Sequence, residues 1–150
     1  MSWQQAGLRY GILAGVACEL VFGLAYLADH SLVLNNYLRI GSLVIYLYPM
    51  WLSQRHAEDQ ELRTLLQPAF LTFVVANAVF YLFDYALFAY IDPSLVDQQA
   101  EMLAAQGYLD DVGGRAGLEP TPSRFFFDYV RSLIGGFVLA GILAFVRRQQ

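Results

Sequence analysis

The sequence predicts an all-α membrane protein: a four-transmembrane-helix bundle with a short outer amphipathic helix after the third span. Three observations predict it. The 150 residues are 57% hydrophobic and only 15% charged, where soluble domains run nearer ~25% charged. Mean hydropathy is +0.43. The apolar residues are gathered into four long continuous stretches, which fit helices rather than the ~10-residue alternating strands of a membrane barrel.

The elements follow in order. The first span covers about residues 7–28 (GLRYGILAGVACELVFGLAYLA). It is not expected to be a cleaved signal peptide. It lacks a basic start beyond Arg9, carries Glu19 mid-run and ends in Tyr26-Leu27-Ala28, where small residues would precede a cleavage site. The second span, about 37–53, is the shortest and has Pro49 near its end. The third covers about 66–91 and the fourth about 125–146. The whole chain, 1–150, reads as one membrane domain with an outer segment at 92–124. In that segment Asp92-Pro93 is a helix start, and Leu95, Val96, Met102 and Leu103 form an apolar stripe ended by Gly107. The following YLDDVGGRAGLEPTP is expected to be a mobile loop, and Thr121-Pro122 or Ser123 to cap the fourth span.

Arg content sets the orientation. Arg9, Arg55, Arg63, Arg147 and Arg148 place both termini and the second loop in the cytoplasm, against Arg39, Arg115 and Arg124 outside. The outer segment then carries six acids and one Arg between Asp92 and Glu119. There is no lysine and no clustered basic surface, so nucleic acid is not an expected partner. With one cysteine, Cys18, and two histidines, His30 and His56, neither a disulfide nor a metal or cofactor site is expected. Most tyrosines and both tryptophans, among them Trp3, Tyr46, Tyr48, Trp51, Tyr81 and Tyr90, are assigned to the headgroup levels.

The informative residues are charges inside the spans, which cost roughly 2.5–3.5 kcal/mol each on insertion scales. Glu19, Asp84, Asp128 and Arg131, with Arg39 nearer an interface, all fall in the outer half of the bundle, ~5–14 Å below its outer boundary. Gly7, Gly11, Gly15, Glu19 and Gly23 recur every four residues on the first span, and Asp128, Ser132, Gly136, Ala140 and Ala144 make a similar ridge on the fourth. The simplest assembly packs these two ridges together antiparallel, with Arg131 a shared counter-ion for Glu19 and Asp84. Three readings stay open for the cluster: an ion-pair clasp fixing helix register, a proton or cationic-ligand site, and a contact for another membrane protein.

The opening RYGILAGVACELVFGLAYL, the SQRHAEDQEL loop, QPAFLTFVVANAVFYLF and above all YIDPSLVDQQAEMLAAQG carry a resemblance to a family. The chain resembles the small four-helix membrane proteins common in Bacteroidota that are grouped as domain of unknown function 4199. GGRAGLEPTP lies outside the likeness. The resemblance implies a four-helix bacterial inner-membrane architecture and supplies no reaction, cofactor or catalytic residue. Locally, AGVACELVFG also looks similar to the first helix of the small multidrug resistance transporters, which would make Glu19 a proton-coupled group.

The expected role is non-enzymatic. The foremost expectation is an accessory or scaffold protein that packs in the lipid bilayer with itself or another membrane protein. The second is a small transporter or ion-coupled carrier using Glu19 and Asp84. No Ser/His/Asp arrangement, phosphate loop or intramembrane aspartate pair is present in the sequence.

Overall fold

The structure, a computed structural model, describes residues 1–150 and is entirely helical. Helix α1 spans Trp3–Ala28, α2 Asn36–Ser53, α3 Leu62–Ala86, α4 Ser94–Gln106 and α5 Pro122–Arg148. The long helices start where the local chemistry directs. Ser2 and Gln5 form a reciprocal capping box at α1, the Asn35 side chain accepts from the Tyr37 and Leu38 amides at α2, and Thr121 caps α5 ahead of Pro122. Gly107 ends α4 in the left-handed conformation, φ 77°.

Three helical segments are long and apolar enough to cross a membrane: Trp3–Ala28, Leu62–Ile91 and Pro122–Arg148. Helix α2 is not among them. It has 18 residues and carries Arg39 inside its first turns. At ~1.5 Å per residue it is about 27 Å long, just short of a hydrocarbon core.

The centre of the bundle is α3. In its most apolar stretch 44% is buried by the rest of the chain, against 28% for α1 and 17% for α5. The small-residue ridges of α1 and α5 therefore do not meet, contrary to the expectation above; each is turned onto α3. A Cβ on Gly7, Gly11 or Gly15 would fall within 3 Å of Leu71, Val75 or Val79 respectively. The three pairs advance in the same direction, so α1 and α3 run parallel. The fit is complementary: Leu71, Val75 and Val79 supply knobs at the spacing of the glycine gaps. Gly23 departs from this pattern, with no atom within 4 Å of its Cβ position. On the other side of α3, Gly136 of α5 lies against the Phe73 ring, and Ala140 and Ala144 are fully buried. Helix α2 runs antiparallel to α3, with Arg39 level with Asp84 and Tyr46 edge-on to Phe73.

Two further expectations are corrected. Tyr46, expected at a headgroup level, is a core residue only 2% exposed, and Tyr81, Tyr85 and Tyr129 pack between α3 and α5. Tyr48 and Tyr90 do face outward. The segment after α4 is not a free loop. It folds into two short 3-10 turns, Asp110–Val112 and Arg115–Leu118, using positive φ at Gly113 and Gly114. Leu118 is buried there, and Arg115 Nε donates to Asp97 of α4 at 2.6 Å. The apolar stripe of α4 does face inward: Leu95, Val96 and Ala100 are buried, with Met102 and Leu103 partly so.

Candidate functional site

Arg39, Asp84 and Asp128, with Arg124 beside them, lie within electrostatic range of one another, while Arg131 stands apart. Arg39 and Asp84 make the central pair: Arg39 Nη2 donates to Asp84 Oδ1 at 3.2 Å, and Arg39 Nε donates to the Val33 carbonyl at 3.0 Å. Asp84 is buried while 30% of the Arg39 side chain remains exposed. Asp128 pairs instead within its own helix, 3.8 Å from Arg124. Arg124 also donates to the Leu118 carbonyl, which ties the outer segment to the start of α5.

Arg131 is exposed on α5 and makes no ion pair or hydrogen bond, so it is not the shared counter-ion expected from the sequence. The cause is the central position of α3. With α1 and α5 on opposite sides of it, a residue on α5 cannot reach Glu19 on α1.

Glu19 has no partner of its own, although it lies within electrostatic range of Asp84. It lies one turn beyond Gly15, in a groove between α1 and α3 lined by Gly23, Leu24, Phe83, Leu87 and Ile91 among others. Both carboxyl oxygens are shielded and neither has a hydrogen-bond partner. A buried carboxyl without a partner is costly, and such groups in membrane spans mark ligand, proton or protein contacts. The groove exists because Gly23 withholds a side chain where α1 and α3 begin to separate.

Polar groups also bridge α3 and α5. The Asn77 amide donates to the Ser132 hydroxyl, which donates in turn to the Tyr129 carbonyl, and Tyr129 donates to the Val74 carbonyl at 3.2 Å. At the opposite end of the bundle, Arg147 donates to the Trp51 carbonyl at 3.1 Å and lies over the indole ring, joining α5 to α2.

A second constellation lies at the outer edge. The last five residues of the third segment, Leu87–Ile91, widen into a π-turn closed by the Asp92 amide donating to the Leu87 carbonyl at 2.8 Å. This turns Asp92 towards α1, where it accepts from the Tyr26 hydroxyl at 3.0 Å and faces His30 Nδ1 at 3.4 Å. Tyr26 and His30 are stacked at 4.2 Å. The Ser94 hydroxyl, then the Tyr26 hydroxyl and the nearby imidazole, hold the Asp92 carboxyl below the usual carboxylate range. The acid expected to cap α4 thus joins α4 to the end of α1. Sequence reading singled out Asp92 only as a cap and gave His30 no role. The separation of 62 to 66 residues along the chain carries no local signal.

Three helices long and apolar enough to cross a membrane, in an all-helical fold, point to the class of helical membrane proteins. Residues 9–149 match the family described as "Protein of unknown function (DUF4199)", and the chain belongs to that family. No curated protein and no solved structure matches it.

Proposed function

We propose that this chain is a non-enzymatic, four-span accessory or scaffold protein of a bacterial inner membrane that docks against another membrane protein or a second copy of itself. The fourth span is α2. The parallel course of α1 and α3 supports this, because a chain with two parallel spans must return between them, and α2 lies antiparallel in that place. Both termini are then cytoplasmic, the side favoured by the Arg distribution.

The observation that carries the docking role is the Glu19 groove. It is open to the bilayer, floored by glycine and centred on a carboxyl with no partner in its own chain. A neighbouring helix with small residues fits it, since small residues allow close approach, and a polar group on that helix would reach the carboxyl once the Glu19 side chain turns outward. The remaining intramembrane charges support a structural rather than chemical use, as Arg39 with Asp84 joins α2 to α3 and Arg124 with Asp128 pairs along α5.

Purification in a mild detergent followed by mass measurement tests the reading. A dimer or hetero-complex is expected, kept by Glu19→Gln and broken by Glu19→Leu. A monomer without partners contradicts it. One observation favours the second reading, a proton- or ion-coupled carrier: the Glu19 carboxyl is shielded and has no hydrogen-bond partner, as suits an intramembrane proton site. Its other acid, Asp84, is held by Arg39 and less available. A carrier loses transport with Glu19→Gln while its assembly and fold persist.

A further inference from the structure

We propose that the cleft between α2 and α5 is a binding site for an anionic phospholipid, with the phosphate held between Arg131 and Arg39 and one acyl chain running down the cleft. Both helices pack on α3 and diverge from each other, leaving a lateral opening with a cavity of about 620 Å³. That is the size range of small-ligand sites, roughly 300–1,000 Å³. A helix ~10 Å across occupies roughly 400 Å³ per turn, so the cleft suits a hydrocarbon chain better than a partner helix.

The polarity of the lining is graded. Arg39, Ser42, Asn77, Tyr81 and Ser132 lie in the outer half beside the apolar Ile40 and Phe80, and beyond Tyr46 the wall is apolar at Phe73, Val138 and Leu139. Gly135 forms part of the wall and has no atom within 4 Å of its Cβ position, so the space beside it is open.

The charge points to an anion. Arg131 is not itself in the wall of the cleft but lies next to Ser132 and one helical turn before Gly135, which are, and it is exposed and without an ion pair. An Arg facing hydrocarbon is costly, and an anionic headgroup removes the cost. Arg39 stands across the cleft. Its Nε and Nη2 are committed to Val33 and Asp84, which fixes the guanidinium plane, while Nη1 makes no hydrogen bond. From the contacts each helix makes with α3 (Arg39 with Asp84, Ser132 with Asn77), the Arg131 backbone lies about 9 Å deeper than the Arg39 guanidinium, and its side chain, leaning towards the helix N-terminus, spans most of that difference. Two guanidinium groups near the outer mouth of an apolar channel match a phosphodiester drawn below the headgroup level with its chain.

The test is native mass spectrometry of the detergent-purified protein titrated with phosphatidylglycerol or phosphatidylcholine. Phosphatidylglycerol is expected to be retained preferentially. Arg131→Gln should weaken its binding about tenfold, the share of one charge-assisted contact, and Arg131→Lys should restore most of it. Gly135→Leu should reduce retention by filling the cleft, and Arg148→Gln at the other end of α5 should change nothing. Unchanged unfolding curves for each variant identify the loss as one of binding. Equal retention of the two lipids overturns the proposal, as does indifference to both Arg131→Gln and Gly135→Leu. Displacement of the lipid by millimolar inorganic phosphate would assign the Arg pair to a soluble anion and overturn it as well.

Discussion

Gly11→Ala tests the α1–α3 interface on which the rest of the bundle depends. The new methyl carbon would sit 2.6 Å from Val75 Cβ and 2.9 Å from the Thr72 carbonyl oxygen. The carbonyl belongs to helix backbone and cannot swing away, so α1 must move outward by several tenths of an ångström. Overpacking of this kind costs about 1–3 kcal/mol. Alanine returns at most about 1 kcal/mol through its better helix propensity. With the full propensity gain the net expectation is a loss of up to about 2 kcal/mol. Gly23→Ala is the internal control: the same propensity gain applies, its methyl meets no atom within 4 Å, and it should be neutral or stabilising. Reversible unfolding in mixed detergent micelles, followed by circular dichroism, reads both. If Gly11→Ala is no less stable than Gly23→Ala, α1 does not seat its glycine ridge on α3 and the reasoning fails.

Further outcomes follow from the charged groups. Asp84→Asn or Arg39→Gln should each cost about 3 kcal/mol, the lower end for a broken buried pair because Arg39 is 30% exposed, and the double variant should cost less than the two together; a double-mutant cycle in the same unfolding assay measures this. Asp92→Asn should loosen α4 from α1, seen as faster amide exchange across Ser94–Gln106. The folded-state carboxyl of Asp92 titrates below its unfolded value of about 3.9, so its contribution is fully present above about pH 4 and lost as pH falls through the lower folded value. Exchange in α4 should therefore rise on acidification below pH 4 in the native chain and show no such step in Asp92→Asn.

What the sequence made legible was periodic or local. The all-helical character, the approximate bounds of the long helices, the inward stripe of α4 and the family could all be read from residue order, because apolar runs, caps and a Pro-started helix are written within a few positions. The four-residue glycine spacing of α1 was legible as a packing ridge, yet its partner was not. Small residues on α5 suggested a mate for Gly7, Gly11 and Gly15, whereas the matching Leu71, Val75 and Val79 were three among many apolar residues of α3. The charge pairing failed for the same reason. Depth placed Arg39, Asp84, Glu19 and Arg131 at similar levels, but depth is one coordinate, and the order of helices around α3 decides which of them touch. The π-turn at Leu87–Ile91 has no sequence mark, and without it Asp92 would not turn towards Tyr26 and His30. The ordering of the segment after α4 was hidden by its Gly, Pro and acid content, which reads as loop; the same glycines allow the turns that bury Leu118.

The central claim is that α2 is a true span returning the chain between the parallel helices α1 and α3, so that both termini lie on one side of the membrane. Single-cysteine accessibility tests it most directly. With Cys18→Ala as background, Ser2→Cys, Gln150→Cys and Val112→Cys are each treated with a membrane-impermeant maleimide in intact cells and again after permeabilisation. The account predicts that the Val112 position labels in intact cells and that the Ser2 and Gln150 positions label only after permeabilisation. Labelling of the two terminal positions from opposite faces would mean an odd number of spans, with α2 outside the bilayer, and would contradict it.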